Sequence, residues 1–276
     1  MSSLKAKCSS CLLLVLVLVA GCNGFRGQPS ATGESSEPLT LIVFAAASLT
    51  DAFTEIKESF EDANAGVTVV LNFAGSNQLA TQINGGAPAD LFASANERQM
   101  GVAVEGGRID SESPQTFVTN RLVVAYPADN PGRISQLQDL ARPGTLLVLA
   151  SEQVPVGQYS LEFLKKSVQD SDFSPSFQAE VLGNVVSYEE NVRAVLNKVT
   201  LGEADAGIVY TSDLAGLEES EIGRLEIPDT LNSIAVYPIA PLNDSENSET
   251  ARAFIDFVLS SVGQEILARY GFGPPE

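Results

Sequence analysis

The sequence predicts an α/β fold built on largely parallel sheets, and three features carry that expectation. From Leu39 onward, short apolar runs bounded by polar or turn residues recur along the chain, the mark of buried strands. Between them lie segments whose apolar residues return every three or four positions, as on one face of a helix. The two kinds alternate almost one for one, the pattern of strand–helix–strand units with right-handed connections.

Leu39–Ala46 (LTLIVFAA) is the first strand. Ser48-Leu49-Thr50-Asp51 follows as a capping-box-like S-x-x-D, and Leu49, Phe53, Ile56 and Phe60 then recur at helical spacing. Val67–Phe73 is the second strand. Gly75-Ser76-Asn77 reads as a turn and N-cap, Leu79 and Ile83 share one helix face, and Asn84-Gly85-Gly86 stops that helix. Pro88–Ala93 turns into a third strand, and Asn96–Val104 is a helix closed by Gly106-Gly107. Arg121–Tyr126 is a strand ended by Pro127, with a short helix near Ile134–Leu140. Thr145–Ala150 is a strand, after which Pro155-Val156-Gly157 opens a helix carrying Leu161, Leu164 and Val168; proline suits a first turn. Val181–Val186 reads as a strand. Asn191 caps a helix with the stripe Val192, Val195, Leu196 and Val199, ended by Gly202. Ala206–Tyr210 is a strand ending in tyrosine, Ser233–Ile239 a strand broken by Pro238, and Ala251–Leu259 and Gly263–Ala268 are closing helices.

The N-terminus points to export. Lys5 and Lys7 precede the apolar run Cys11–Ala20, which is shorter than the roughly 20 residues a bilayer span needs but fits a signal peptide. Val19-Ala20-Gly21-Cys22 resembles a lipoprotein processing site, so residues 1–21 are expected to be removed and Cys22 to carry a lipid. Residues 22–38, rich in Gly, Ser, Pro and Glu, read as a flexible tether. Cys8 and Cys11 fall in the removed segment, which leaves no disulfide framework and no cysteine metal site.

Histidine is absent, which excludes serine–histidine and cysteine–histidine catalysis. The formal charge of −19, or −21 once Lys5 and Lys7 are lost, argues against nucleic acid. It does not argue against a buried anion, because diffuse surface charge is screened over about 8–10 Å at physiological salt.

Four strand-to-helix junctions stand out, at Ser48, Ser76, Val156 and Val192. The first N–H groups of a helix have no internal acceptor, and with the helix dipole they make an anion site. Two junctions add a serine hydroxyl, and Tyr210 at a strand end adds a neutral phenol. Such a cage binds a dianion without lysine or arginine. Taken singly, each residue has a plainer reading: the serines cap helices, the valines fill the core and the tyrosine packs.

Six motifs together resemble the periplasmic molybdate-binding proteins of ABC importers. They are Val43–Thr50 (VFAAASLT), Phe73-Ala74-Gly75-Ser76 with Leu79–Ile83, Gly86–Ala95 (GAPADLFASA), Val154–Tyr159 (VPVGQY), Glu190-Asn191-Val192-Arg193 with Gly207–Asp213 (GIVYTSD), and Arg269-Tyr270-Gly271-Phe272. The resemblance implies the two-lobed periplasmic-binding-protein fold of the second type, each lobe a mostly parallel sheet flanked by helices, with the ligand cleft between lobes. It implies lobe one at residues 39–122 and 236–276 and lobe two at 123–235, with Arg121–Tyr126 and Ser233–Ile239 as crossovers. It implies molybdate or tungstate bound by Ser48, Ser76, Val156, Val192 and Tyr210, so that molybdenum is held only as its oxyanion. There would be no cofactor and no catalytic residue. The partners would be a membrane permease and its ATPase, and the protein a lipid-anchored monomer on the outer side of a bacterial membrane. Gly75 and Asn77 replace serines of some relatives, and Val156 a common alanine, which could narrow the pocket.

Three other readings are compatible with parts of the sequence, one of them a purely structural or adhesive lipoprotein. The same fold could take sulfate, thiosulfate or phosphate, since a neutral donor cage fits any tetrahedral dianion. A lipid-anchored hydrolase could use Ser48 or Ser76 as nucleophile with Lys57 as base, but Lys57 lies more than two helical turns from Ser48.

Overall fold

The computed structural model describes residues 39–218 and 220–275; the expected signal segment, Cys22 and the tether lie outside them. Among the described residues ten strands form two five-stranded sheets. The first sheet has the order β2 (Val67–Ala74), β1 (Leu39–Ala46), β3 (Leu91–Ala93), β10 (Ala235–Pro241), β4 (Gln115–Asn120). The second has the order β7 (Val185–Glu189), β6 (Leu147–Ala150), β8 (Ala206–Tyr210), β5 (Leu122–Pro127), β9 (Ile222–Glu226). Among the described residues there are eight α-helices, the last two following the final strand: α1 (Thr50–Ala63), α2 (Ser76–Asn84), α3 (Glu97–Glu105), α4 (Pro155–Ser167), α5 (Phe177–Gly183), α6 (Val192–Thr200), α7 (Ser248–Leu259) and α8 (Ser261–Arg269).

The α/β architecture matches the expectation, with one refinement. β1 pairs in parallel with β2 and β3, and β6 with β7 and β8. β10 and β5 pair antiparallel with both of their neighbours. A helical crossover returns the chain to the same end of a sheet and makes parallel neighbours. β5 and β10 instead enter directly from the other sheet, β5 straight from β4 and β10 from the segment after β9.

Three local expectations are corrected. Val181–Val186 is not one strand: Val181 lies in α5, and the strand is Val185–Glu189, so the apolar residues there divide between a helix end and an edge strand. β4 and β9, with the sequences QTFVTN and IGRLE, carry too few consecutive apolar residues to stand out as strands. Pro238 does not break its strand: the register shifts between Tyr237 and Pro238, and this bulge accommodates the residue without an N–H.

The packing fixes α1 over the first sheet. Phe53 lies 5.8 Å from Phe117 of β4 and 6.1 Å from Phe254 of α7, which is 5.1 Å from Phe60. All four rings are buried, so the first turn of α1 is anchored where β1 ends. Tyr237 of β10 is held among Phe117, Tyr210 and Phe272 at centroid distances of 6.3, 5.9 and 5.6 Å.

Candidate functional site

The five residues singled out in the sequence line one cleft. Ser48 follows β1 in a 3-10 turn, Ala47–Leu49, that leads into α1. Ser76 is the first residue of α2, Val156 the second of α4, and Val192 the first of α6. Tyr210 is the last residue of β8. Elements on both sheets therefore contribute, and helix N-termini face the cleft from both.

Neither serine caps a helix. No side-chain bond caps α1, so the expected S-x-x-D box does not form; the Ser48 Oγ lies 2.9 Å from the Tyr237 Oη instead. The N-cap of α2 is Gly75, whose N–H donates to the Gln78 Oε1 at 3.2 Å. The Ser76 Oγ accepts a hydrogen bond from the Ala95 N–H at 3.0 Å, which leaves the serine's own proton free. Asn191 does cap α6 as expected, its Oδ1 accepting from the Ala194 N–H at 3.0 Å.

The backbone N–H groups of Val156 and Val192 have no acceptor among the described hydrogen bonds, as their places at helix starts dictate. The Tyr210 hydroxyl is buried and has no partner either. Burial pushes its pKa well above the usual phenol value, with Tyr237, Tyr159 and Asp213 adding to the shift. Tyr210 is thus a neutral donor waiting for an acceptor, and a buried group of that kind costs about 1–3 kcal/mol unless something fills the role.

The cleft is small. Its empty space is about 210 Å³ counted with its mouth. Among the described residues no lysine, arginine or carboxylate lines it. The arrangement can hold a compact acceptor-only ligand through dipoles, and it offers no nucleophile–base pair. Lys57 pairs with Glu61 at 3.9 Å along α1, far from the serine it would have to activate.

The model of a family of bacterial extracellular solute-binding proteins matches residues 41–273. The chain belongs to that family. It is 37% identical, over 95% of its length and 97% of the relative's, to the molybdate-binding protein ModA of Mycobacterium tuberculosis. The structure is similar to the periplasmic molybdate-binding protein of Azotobacter vinelandii (TM-score 0.73, 20% identity, covering 86% of this chain and 100% of that one). It is also similar to the sulfate-binding protein SubI of M. tuberculosis (TM-score 0.76, 20% identity, covering 86% and 87%). The solute-binding protein therefore has the periplasmic-binding-protein fold, works outside the cytoplasm and is not an enzyme.

In this solute-binding protein the two sheets are also bridged around the cleft. The Gln78 Nε2 donates to the Glu190 Oε2 at 3.0 Å, the Asn96 Nδ2 to the Gln158 Oε1 at 3.2 Å, and the Gln99 Nε2 to the Gln153 carbonyl at 2.9 Å. Arg193 of α6 pairs with Asp51 of α1 and places its Nε 3.2 Å from the Asp213 Oδ1. The Asp213 Oδ2 accepts the Tyr210 N–H at 3.0 Å. Burial pushes the Asp213 carboxyl up to about 6, against the pull of the Arg193 guanidinium and of that N–H bond. Arg193 is thus committed to two carboxylates, which explains how a cation one residue from Val192 stays out of the cleft. Sequence reading did not single out Asn120, Tyr237, or the Asp51–Arg193–Asp213 cluster, because each acts through a partner distant in the chain.

Proposed function

We propose that the protein captures molybdate, or the nearly isosteric tungstate, and delivers it to the membrane permease and ATPase of an ABC importer. The observation that carries this reading is the meeting of the Ser48 and Ser76 hydroxyls, the Val156 and Val192 N–H groups and the Tyr210 phenol in one small cleft. All five can donate, and no acceptor side chain with a negative charge opposes them. A fully deprotonated tetrahedral oxyanion accepts at every corner. Hydrogen phosphate carries a proton that such a cage leaves unpaired, which disfavours it. The molybdate-binding relatives support molybdate over sulfate, which the fold alone leaves open. The cross-sheet contacts support closure of residues 39–122 with 236–276 upon residues 123–235 as the event that buries the ion.

Calorimetric titration of the purified protein with molybdate, tungstate, sulfate and phosphate at fixed ionic strength is the test. One-to-one binding of molybdate and tungstate with silence from the other two is the expected result; tight sulfate binding would overturn the ligand assignment. Tyr210→Phe should weaken molybdate binding roughly 10- to 100-fold, the worth of one hydrogen bond to a charged group. An unchanged dissociation constant would remove Tyr210 from the site.

The run Val19-Ala20-Gly21-Cys22 supports lipidation at Cys22 and a tether along residues 22–38 that lets a monomer reach its permease. Cys22→Ser should move the protein from the membrane fraction to the soluble one. Retention on membranes would refute the anchor.

A further inference from the structure

The geometry points to Asn120 and Tyr237 as positioning residues, linked in a one-way hydrogen-bond relay that holds the Ser48 hydroxyl as a donor to the ligand. This deepens the oxyanion reading and rests on it.

The direction of the relay follows from one unambiguous donor. The Arg121 backbone N–H donates to the Asn120 Oδ1 at 2.9 Å, and the Thr211 Oγ1 donates to the same oxygen at 2.9 Å. That fixes which end of the amide is oxygen. The Asn120 Nδ2 must then donate, and it does so to the Ser212 Oγ at 2.8 Å and the Tyr237 Oη at 3.3 Å. With its oxygen accepting from Asn120, Tyr237 has its own proton to place. Among the described hydrogen bonds the one remaining partner is the Ser48 Oγ, at 2.9 Å. Ser48 therefore accepts from Tyr237, and its proton is left for the cleft.

Asn120, Ser212, Tyr237 and Ser48 are each at least nine-tenths buried, so water does not compete to reverse the sequence. Burial also pushes the Tyr237 phenol far above its ordinary value, so it stays protonated at any physiological pH. A serine hydroxyl left alone rotates and can present either its proton or a lone pair. To an oxyanion only the proton is useful. The relay removes that choice before the ligand arrives, and preorganised dipoles cost no reorientation on binding.

Its starting point has a second consequence. Asn120 is the last residue of β4, where the chain passes from the first sheet to β5 of the second. Its amide holds Tyr237 on the first sheet and both Thr211 and Ser212, which follow β8 of the second. The crossover and the Ser48 donor are thus joined through one side chain.

The test is a double-mutant cycle on the full-length protein, read by molybdate dissociation constant. Tyr237→Phe keeps the ring and its packing, and the Asn120 Nδ2 keeps Ser212 as acceptor, so the ligand-free melting temperature should stay close to wild type. Tyr237→Phe alone should weaken molybdate binding about 5- to 20-fold. In a Ser48→Ala background the same change should cost less than about twofold, because no hydroxyl remains to orient. Equal losses in both backgrounds would make Tyr237 merely structural and overturn the relay. So would coupling of Tyr237→Phe to Tyr210→Phe rather than to Ser48→Ala, which would send the Tyr237 proton to Tyr210. A wild-type protein that ignores molybdate overturns the oxyanion reading itself, and the relay with it, so the two failures are told apart by the first titration.

Discussion

Val192→Pro is expected to weaken molybdate binding by about 100-fold or more, while Val192→Ala stays within about threefold of wild type. The contrast isolates a backbone group. Val192 is the first residue of α6, where proline is tolerated because that N–H has no helical acceptor to lose. Asn191 before it is extended, with φ −159° and ψ 170°, away from the helical region that a following proline disfavours. The Asn191 side chain still caps the helix through Ala194. Proline therefore leaves the fold in place and deletes one donor. A hydrogen bond to a charged group is worth about 1.5–3 kcal/mol, or roughly 10- to 150-fold in affinity. The ring adds a methylene where the hydrogen stood, which pushes the anion off its other donors. Alanine trims a buried side chain and costs stability of about 1–2 kcal/mol, but it keeps the N–H. Calorimetry gives the affinities, and thermal melting without ligand checks the fold. Equal binding by Val192→Pro and wild type would show that the α6 start does not hold the oxyanion.

The parts legible in the sequence are those set by local chemistry. Apolar runs located β1, β2, β6 and β8, and helical stripes with their start signals located α1, α2, α4 and α6, and hence the four junctions at the cleft. What escaped was set by contacts between distant segments. QTFVTN has four polar residues of six and became β4 only by pairing with β10 across more than a hundred residues. The same strand ends in Asn120, so the residue that orients Tyr237 lay in an element with no visible pattern. The serines show the opposite error. Ser48 and Ser76 were found at the right places, but local reading gave them capping roles that the structure assigns to neither. A motif records where a hydroxyl stands; whether it is spent on its own helix depends on what the fold brings opposite, here Tyr237 and the Ala95 N–H. Arg193 was invisible as a neutralised cation for the same reason, since its carboxylates come from α1 and from the turn after β8.

Gly157→Ala is the second change with a large expected effect, and here a side chain is excluded by backbone. Gly157 is the third residue of α4, one after Val156. A Cβ on it would stand 2.1 Å from the Ser151 carbonyl oxygen and 2.5 Å from that of Ala150. Those atoms belong to the end of β6 and its turn, so no rotamer relieves the clash. The start of α4 must retreat from the strand, carrying the Val156 N–H away from the cleft and loosening Phe163 and Leu164, which are buried on the same helix. Overpacking of this kind costs about 1–3 kcal/mol or more, and with loss of a binding donor the molybdate affinity should fall about 100-fold. The melting temperature should drop by about 5–10 °C for a domain of this size. Gly101→Ala provides the internal comparison. It lies inside α3 with nothing within 4 Å of the added carbon. Helix propensity favours alanine over glycine by about 1 kcal/mol at an interior position, so Gly101→Ala should raise the melting temperature and leave binding alone. Propensity pulls both changes towards greater stability; only the carbonyl oxygens beneath Gly157 reverse the sign. Equal melting temperatures and equal affinities for the two variants would show that α4 can shift without moving its N–H groups, and that the close approach of helix to strand does not build this part of the site.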